Sequence, residues 1–292
     1  MIHHNSHMVH LMALGAAVFY GAADFTGGLA ARSVNAVLVV LASQGTGLLL
    51  LALLMPFLPE SLPAPADLWW GAAAGTAGGA GVALLYRALA IGAMAVVAPT
   101  TAVCAVAIPV VVAVAMGERP GLQAASGIAL GIVSILLVSQ QPPSDPQAAP
   151  AQAPARRRGL GTAFASGVTI GLFFLALAQT RTEAGMWPLL VSRATTVSVF
   201  ALIALATKQS LQMTTGVRLL CASGGAMDMI ANALYLVAVR VGPLSVVVTL
   251  ASLYPASTVL LARMVVGERL GFVQMGGVVC ALVSVVLIVS GT

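Results

Sequence analysis

Long apolar stretches separated by short polar breaks dominate the chain. They cover residues 11–31, 36–58, 68–90, 94–116 and 121–139, then 160–180, 187–207, 217–239, 243–265 and 270–290. Each is close to the roughly 20 residues a helix needs to cross a bilayer. None shows the strict apolar–polar alternation of a strand. Lipid offers no partner to backbone N–H and C=O groups, so every run is expected to be helical.

One break differs from the others. Residues 140–158 read QQPPSDPQAAPAQAPARRR, rich in proline, alanine and glutamine. That composition predicts a flexible, polyproline-leaning linker. It separates residues 11–139 from 159–292, with five spans in each, and leaves residues 1–10 as a tail or a stretch foreign to the protein. The two parts repeat one another. Gly92/Gly242, Gly117/Gly267, Glu118/Glu268, Arg119/Arg269, Gly127/Gly277 and Ser134/Ser284 are all 150 positions apart, and Gly21/Gly171 carries the same offset to the first span. An odd number of spans per repeat forces the second copy to start on the opposite face. The expected fold is therefore an all-α integral membrane protein, with ten transmembrane helices as two inverted five-helix repeats. Such repeats are a common construction of secondary transporters, with the site near the midplane at the repeat interface.

Composition agrees with a lipid-facing exterior. Only 7% of residues are charged, against about 25% in soluble domains. The net charge of +5 comes mostly from arginines at the ends of apolar runs, so it does not indicate a nucleic-acid partner. Cys104, Cys221 and Cys280 are widely spaced inside apolar runs and read as packing residues. His3, His4, His7 and His10 all fall in the expected tail, and no metal ligand set is assigned to them. No cofactor is expected. The first apolar run lacks a basic leader and reaches span length, which argues against a cleaved signal peptide.

The strings ALGAAVFYGAADFTGGLAAR, LLYRALAIGAMAVVAPTTAV and GERPGLQAASGIALG resemble one EamA unit of the drug/metabolite transporter superfamily. The stretch from LYLVAVRVGPLSVVV to GERLGFVQMGGV resembles a second. The resemblance implies export or exchange of small metabolites across a cell membrane, a bacterial inner membrane in particular. It also implies a cavity lined by spans 1, 3, 4, 6, 8 and 9, with spans 5 and 10 peripheral. The family's aromatic–glycine step stands at Tyr20–Gly21, whereas the second copy has Ile170–Gly171.

Charged groups inside a bilayer cost roughly 2.5–3.5 kcal/mol each on insertion scales, so each needs a reason. Asp24 lies in span 1, Arg193 in span 7 and Asp228 in span 8. Asp228, Asn232 and Tyr235 share one helix face, as do Tyr20 and Asp24 one turn apart. These faces suit a cationic or zwitterionic substrate, or a proton. Span 9 adds a hydroxyl stripe, Ser245, Thr249 and Ser252, followed by Tyr254; interhelical packing is its alternative reading. Arg193 and Asp228 lie at similar depths on adjacent antiparallel spans, so an ion pair between them is also expected. Arg87 and Arg263 near span ends read as headgroup anchors. Pro99 and Pro109 in span 4, with Pro243 and Pro255 in span 9, are expected to interrupt equivalent helices near the binding region.

No HExxH, GxSxG or Walker lysine is present, so neither an enzyme nor an ATP-driven pump is expected. The reading is a secondary transporter working by alternating access, with a small-molecule substrate, membrane lipids and coupling protons as partners. A flippase-like carrier of a lipid-linked or amphipathic molecule is the alternative. A monomer is expected, with a homodimer as the other option. Orientation stays open: Arg32, Arg156, Arg157, Arg158, Lys208, Arg218 and Arg269 put the odd connections inside by the positive-inside rule, while the resemblance puts the termini there.

Overall fold

Local signals in the sequence set where several helices begin. The Asn35 side chain accepts a hydrogen bond from the Val37 N–H at 2.9 Å, capping the helix that follows. Pro65 and Pro188 stand in first turns, where a missing N–H costs nothing. The Asp67 carboxylate accepts the Ala64 N–H at 2.9 Å and closes another helix start.

The computed structural model describes residues 2–58, 62–115, 121–139, 149–241, 247, 250–251, 253–268 and 271–290. Among these lie ten α-helices. The first unit holds α1 (Ile2–Ala30), α2 (Ala36–Leu54), α3 (Pro65–Ile91), α4 (Met94–Ala115) and α5 (Leu122–Ser139). The second holds α6 (Ala149–Ala178), α7 (Trp187–Ala206), α8 (Thr215–Val241), α9 (Tyr254–Leu261) and α10 (Phe272–Ser290). Five stretches, His7–Ala30, Ala36–Phe57, Pro65–Ile91, Gly159–Leu177 and Trp187–Ala206, are each long and apolar enough to cross a membrane unaided. Leu11, Leu53, Trp69, Leu205 and Phe272 point outward, as a lipid-facing exterior requires.

Three features differ from the sequence expectations. Helix α1 already starts at Ile2, so residues read as a tail continue the first span. Helix α6 starts at Ala149, inside the segment read as a flexible linker. Helix α4 runs unbroken through Pro99 and Pro109. Neighbouring helices can hold a proline-containing span together although the ring forfeits a hydrogen bond, and α4 packs on both α6 and α10. Among the described residues only the second unit shows an interruption here: Leu253 is a turn, Pro255 sits in the first turn of α9, and a π-helical turn, Ala262–Val266, ends the span. Gly267 closes that turn with φ 74°, a left-handed conformation that favours glycine. Pro243, Ser245, Thr249, Ser252, Glu118 and residues 140–148 lie outside the described residues.

Packing repeats under exchange of the two units. Helix α1 packs on α8 as α6 does on α3, and α2 packs on α8 as α7 does on α3. Helix α4 meets α6 as α9 meets α1, while α2·α7 and α5·α10 are self-related pairs. The Ser134 hydroxyl donates to the Gly277 carbonyl at 2.8 Å, and its counterpart Ser284 donates to the Gly127 carbonyl at 2.6 Å. Reciprocal bonds of this kind require a pseudo-twofold axis between α5 and α10. Gly75 and Gly225 repeat the pattern: each lies so close to a serine carbonyl, Ser192 and Ser43 respectively, that a Cβ would collide with it.

Two ion pairs join the units at opposite ends of the bundle. In the α1–α2 connection, Arg32 Nη2 lies 3.3 Å from Glu268 Oε1. The Glu268 carboxylate also accepts the Met94 and Ala95 N–H groups, each at 3.1 Å, and so caps α4 from the other unit. At the far end Arg181, just beyond α6, meets Asp67 at the start of α3 through Nη2 at 2.8 Å and Nε at 3.1 Å.

Candidate functional site

Several polar residues of the spans gather in one region where α1 meets α8 and α9. Tyr20 and Asp24 are one turn apart on α1, and Asp228, Asn232 and Tyr235 follow one face of α8. The Tyr20 hydroxyl donates to Asn232 Oδ1 at 3.0 Å, and Asn232 Nδ2 donates to the Asp228 carbonyl at 2.7 Å. Tyr254, opening α9, presents its ring edge-to-face to Tyr20, with centroids 6.4 Å apart. Thr258 on the same helix donates to the Gly21 carbonyl at 3.1 Å, holding α9 on α1.

A buried arginine organises the opposite wall. Arg193 on α7 is 4% exposed. Its Nη2 donates to Asp228 Oδ2 at 2.5 Å and its Nη1 to Gln44 Oε1 on α2 at 2.8 Å. Gly47, one turn beyond Gln44, leaves room for the guanidinium; a Cβ there would lie 2.7 Å from Nη1. The Arg193 Nε–H is buried and has no acceptor among the described residues. Charges taken out of water are tolerable when paired and hydrogen-bonded, and Asp228 and Arg193 meet that condition. Asp24 is half-buried, within electrostatic reach of Asp228, and no hydrogen-bond or ion-pair partner reaches it among the described residues.

Seven residues singled out from the sequence, Tyr20, Asp24, Arg193, Asp228, Asn232, Tyr235 and Tyr254, thus share one region. Pro99, Pro109 and Pro255 belong to the helices around it. Arg87 and Arg263 are exposed and take no part. Two contributors were missed. Gln44 is an uncharged group in the middle of an apolar run; the available signal was a polar residue in a span where none is needed. Tyr86 on α3 is 3% exposed, meets the Ser43 hydroxyl, and lies within electrostatic reach of Asp24 and Asp228. Tyrosine carries no charge to draw notice, and the neighbouring Arg87 reads as a headgroup anchor. All four tyrosines of the chain, Tyr20, Tyr86, Tyr235 and Tyr254, therefore belong to this region.

An all-helical multi-pass membrane protein, built as two inverted five-helix units around an internal polar cluster, is the class these observations define. The EamA-like transporter family matches residues 7–140 and again residues 157–290. The chain belongs to that family, and is a membrane transporter of the drug/metabolite type. No curated protein matches the chain. One crystal structure of a protein is similar over 96% of this chain and 95% of its own, with TM-score 0.65 and 16% identity, a likeness of fold alone.

Proposed function

We propose that the protein is a secondary transporter that moves a small cationic or zwitterionic metabolite by alternating access. In this reading substrate and proton bind at Asp24, beside Asp228, Asn232 and the surrounding tyrosines. The observation that carries it is a carboxylate without a counter-ion among the described residues, at the contact of two inverted units, inside a membrane-spanning bundle. Intramembrane ionisable residues of this kind mark substrate and proton paths. The two terminal ion pairs support the rocking motion: Arg32–Glu268 ties the units at one end and Arg181–Asp67 at the other. Opening either while the other holds would expose the same cluster to one side. The described members of the cluster all come from one chain, which favours the monomer as the working unit.

The test is flux into proteoliposomes of candidate amines and amino acids, with and without a pH gradient. Proton-driven flux is expected in the native protein and a loss of at least tenfold in Asp24→Asn. Undiminished pH-driven flux in that variant would remove Asp24 from the coupling step.

A further inference from the structure

We infer that the region bounded by α1, α3, α8 and α9 takes a monovalent organic ammonium with an apolar body, seated on Asp24 beside Tyr20, Tyr86 and Tyr254, and that this cation and a proton occupy Asp24 in turn. The inference rests on the transport reading above and names its substrate class.

The charge balance gives the sign of the ligand. Arg193 and Asp228 cancel one another across a direct ion pair. Around Asp24, α3 contributes Tyr86, α9 contributes Tyr254 and α8 brings Asp228, while Tyr235 lies beside Tyr20 and Cys221 beside Tyr86. Helix α4 adds Cys104 beside Tyr254, and α2 adds the uncharged Gln44 and Ser43. The one cation among these groups, Arg193, is already engaged by Asp228 and Gln44. Among the described residues nothing fixed therefore neutralises Asp24, and an unpaired carboxylate away from bulk water is tenable only with a proton or a cation. An anionic ligand would add a second negative charge. A zwitterion would leave the first uncancelled. A single positive charge brings the region to neutrality.

The walls give the rest of the ligand. Aromatic faces attract ammonium groups, and their rings suit an apolar body better than a hydrated metal ion. The other unit offers no second copy of the site: the positions matching Tyr20, Asp24, Asp228, Asn232, Tyr235 and Tyr254 are Ile170, Phe174, Gly78, Val82, Leu85 and Cys104. One site with one exchangeable charge implies that binding of each cation releases one proton.

Phenethylammonium and phenylalanine form the decisive probe pair, since they differ by one carboxylate, the group to which the Arg193 Nε–H, without an acceptor among the described residues, would donate. Isothermal titration of the full chain in detergent, in buffers of different ionisation enthalpy, reads affinity and proton release together. Phenethylammonium should bind and release about one proton where Asp24 is protonated beforehand, weakening about tenfold per pH unit on the acid side. Asp24→Asn should abolish binding and Asp24→Glu should retain it, with the melting temperature showing that each variant is folded. Tighter binding of phenylalanine, binding that survives in Asp24→Asn, or binding without proton release would overturn the inference. Proteoliposome counterflow separates it from the transport reading. Flux of neutral or zwitterionic solutes that ignores Asp24 overturns the ammonium site and leaves a transporter. Asp24-dependent binding without flux of any solute keeps the site and overturns transport.

Discussion

The face that α1 turns toward α8 and the face that α6 turns toward α3 descend from one repeat but carry different chemistry. On the first stand two tyrosines, two aspartates and an asparagine; on the second the matching positions are apolar, with Phe173 packed over Gly78, the counterpart of Asp228. The backbone contacts have stayed alike. Gly75 and Gly225 still meet equivalent serine carbonyls, and Ser134 and Ser284 still exchange bonds across the axis. The contrast separates two jobs. Under the proposed function, symmetric packing would supply the two related arrangements of the units that alternating access needs, while the asymmetric face would confine binding to one place.

The asymmetry breaks most severely at Arg193. Its counterpart in the first unit is Gln44, 149 positions earlier, and the two side chains meet directly. Arg193→Ala leaves the half-buried Asp228 without its counter-ion and should cost up to about 3–5 kcal/mol, read as thermal unfolding in detergent. Pairing Arg193→Met with Asp228→Leu should recover most of that stability without restoring transport. A mild effect of Arg193→Ala would mean that Asp228 is well solvated.

The symmetry is probed next by Gly75→Ala and Gly225→Ala. Each sets a methyl against a backbone carbonyl that cannot swing aside, so each should cost about 1–3 kcal/mol. Equal losses in melting temperature are expected. A large loss at one position alone would mean that the two units no longer pack alike. The smallest effects belong to Ser134→Ala and Ser284→Ala, at about 0.6 kcal/mol each, the average for side-chain hydrogen bonds between membrane helices. They too should match within error in a chemical denaturation series.

Much of this contrast could be read before any coordinates. Apolar runs located the spans, and a constant offset of 150 exposed the duplication, because lipid and close helix packing constrain those positions strongly. The group formed by Tyr20, Asp24, Asp228 and Asn232 was visible because charge and amide groups stand out against an apolar background. The Arg193–Gln44 contact was not. The offset slips to 149 between α2 and α7, so the two residues do not align by the main register, and glutamine carries no charge to draw notice. Glu268 was legible as a repeated motif, but not as a cap on α4, since its partners are backbone N–H groups with no side-chain signature. Arg181 and Asp67 sit at span ends 114 residues apart, where headgroup anchoring explains a charge equally well.

Alternating access through one site is tested most directly by sidedness of labelling. A single cysteine at Asn232→Cys, with Cys104, Cys221 and Cys280 replaced by alanine, reports whether a membrane-impermeant thiol reagent reaches the cluster from either face of oriented vesicles. Glu268→Gln, which loosens the end holding Arg32, should raise labelling from that face alone. Asp67→Asn should raise it from the opposite face alone. Equal labelling from one face in both backgrounds, or none in either, would contradict the account.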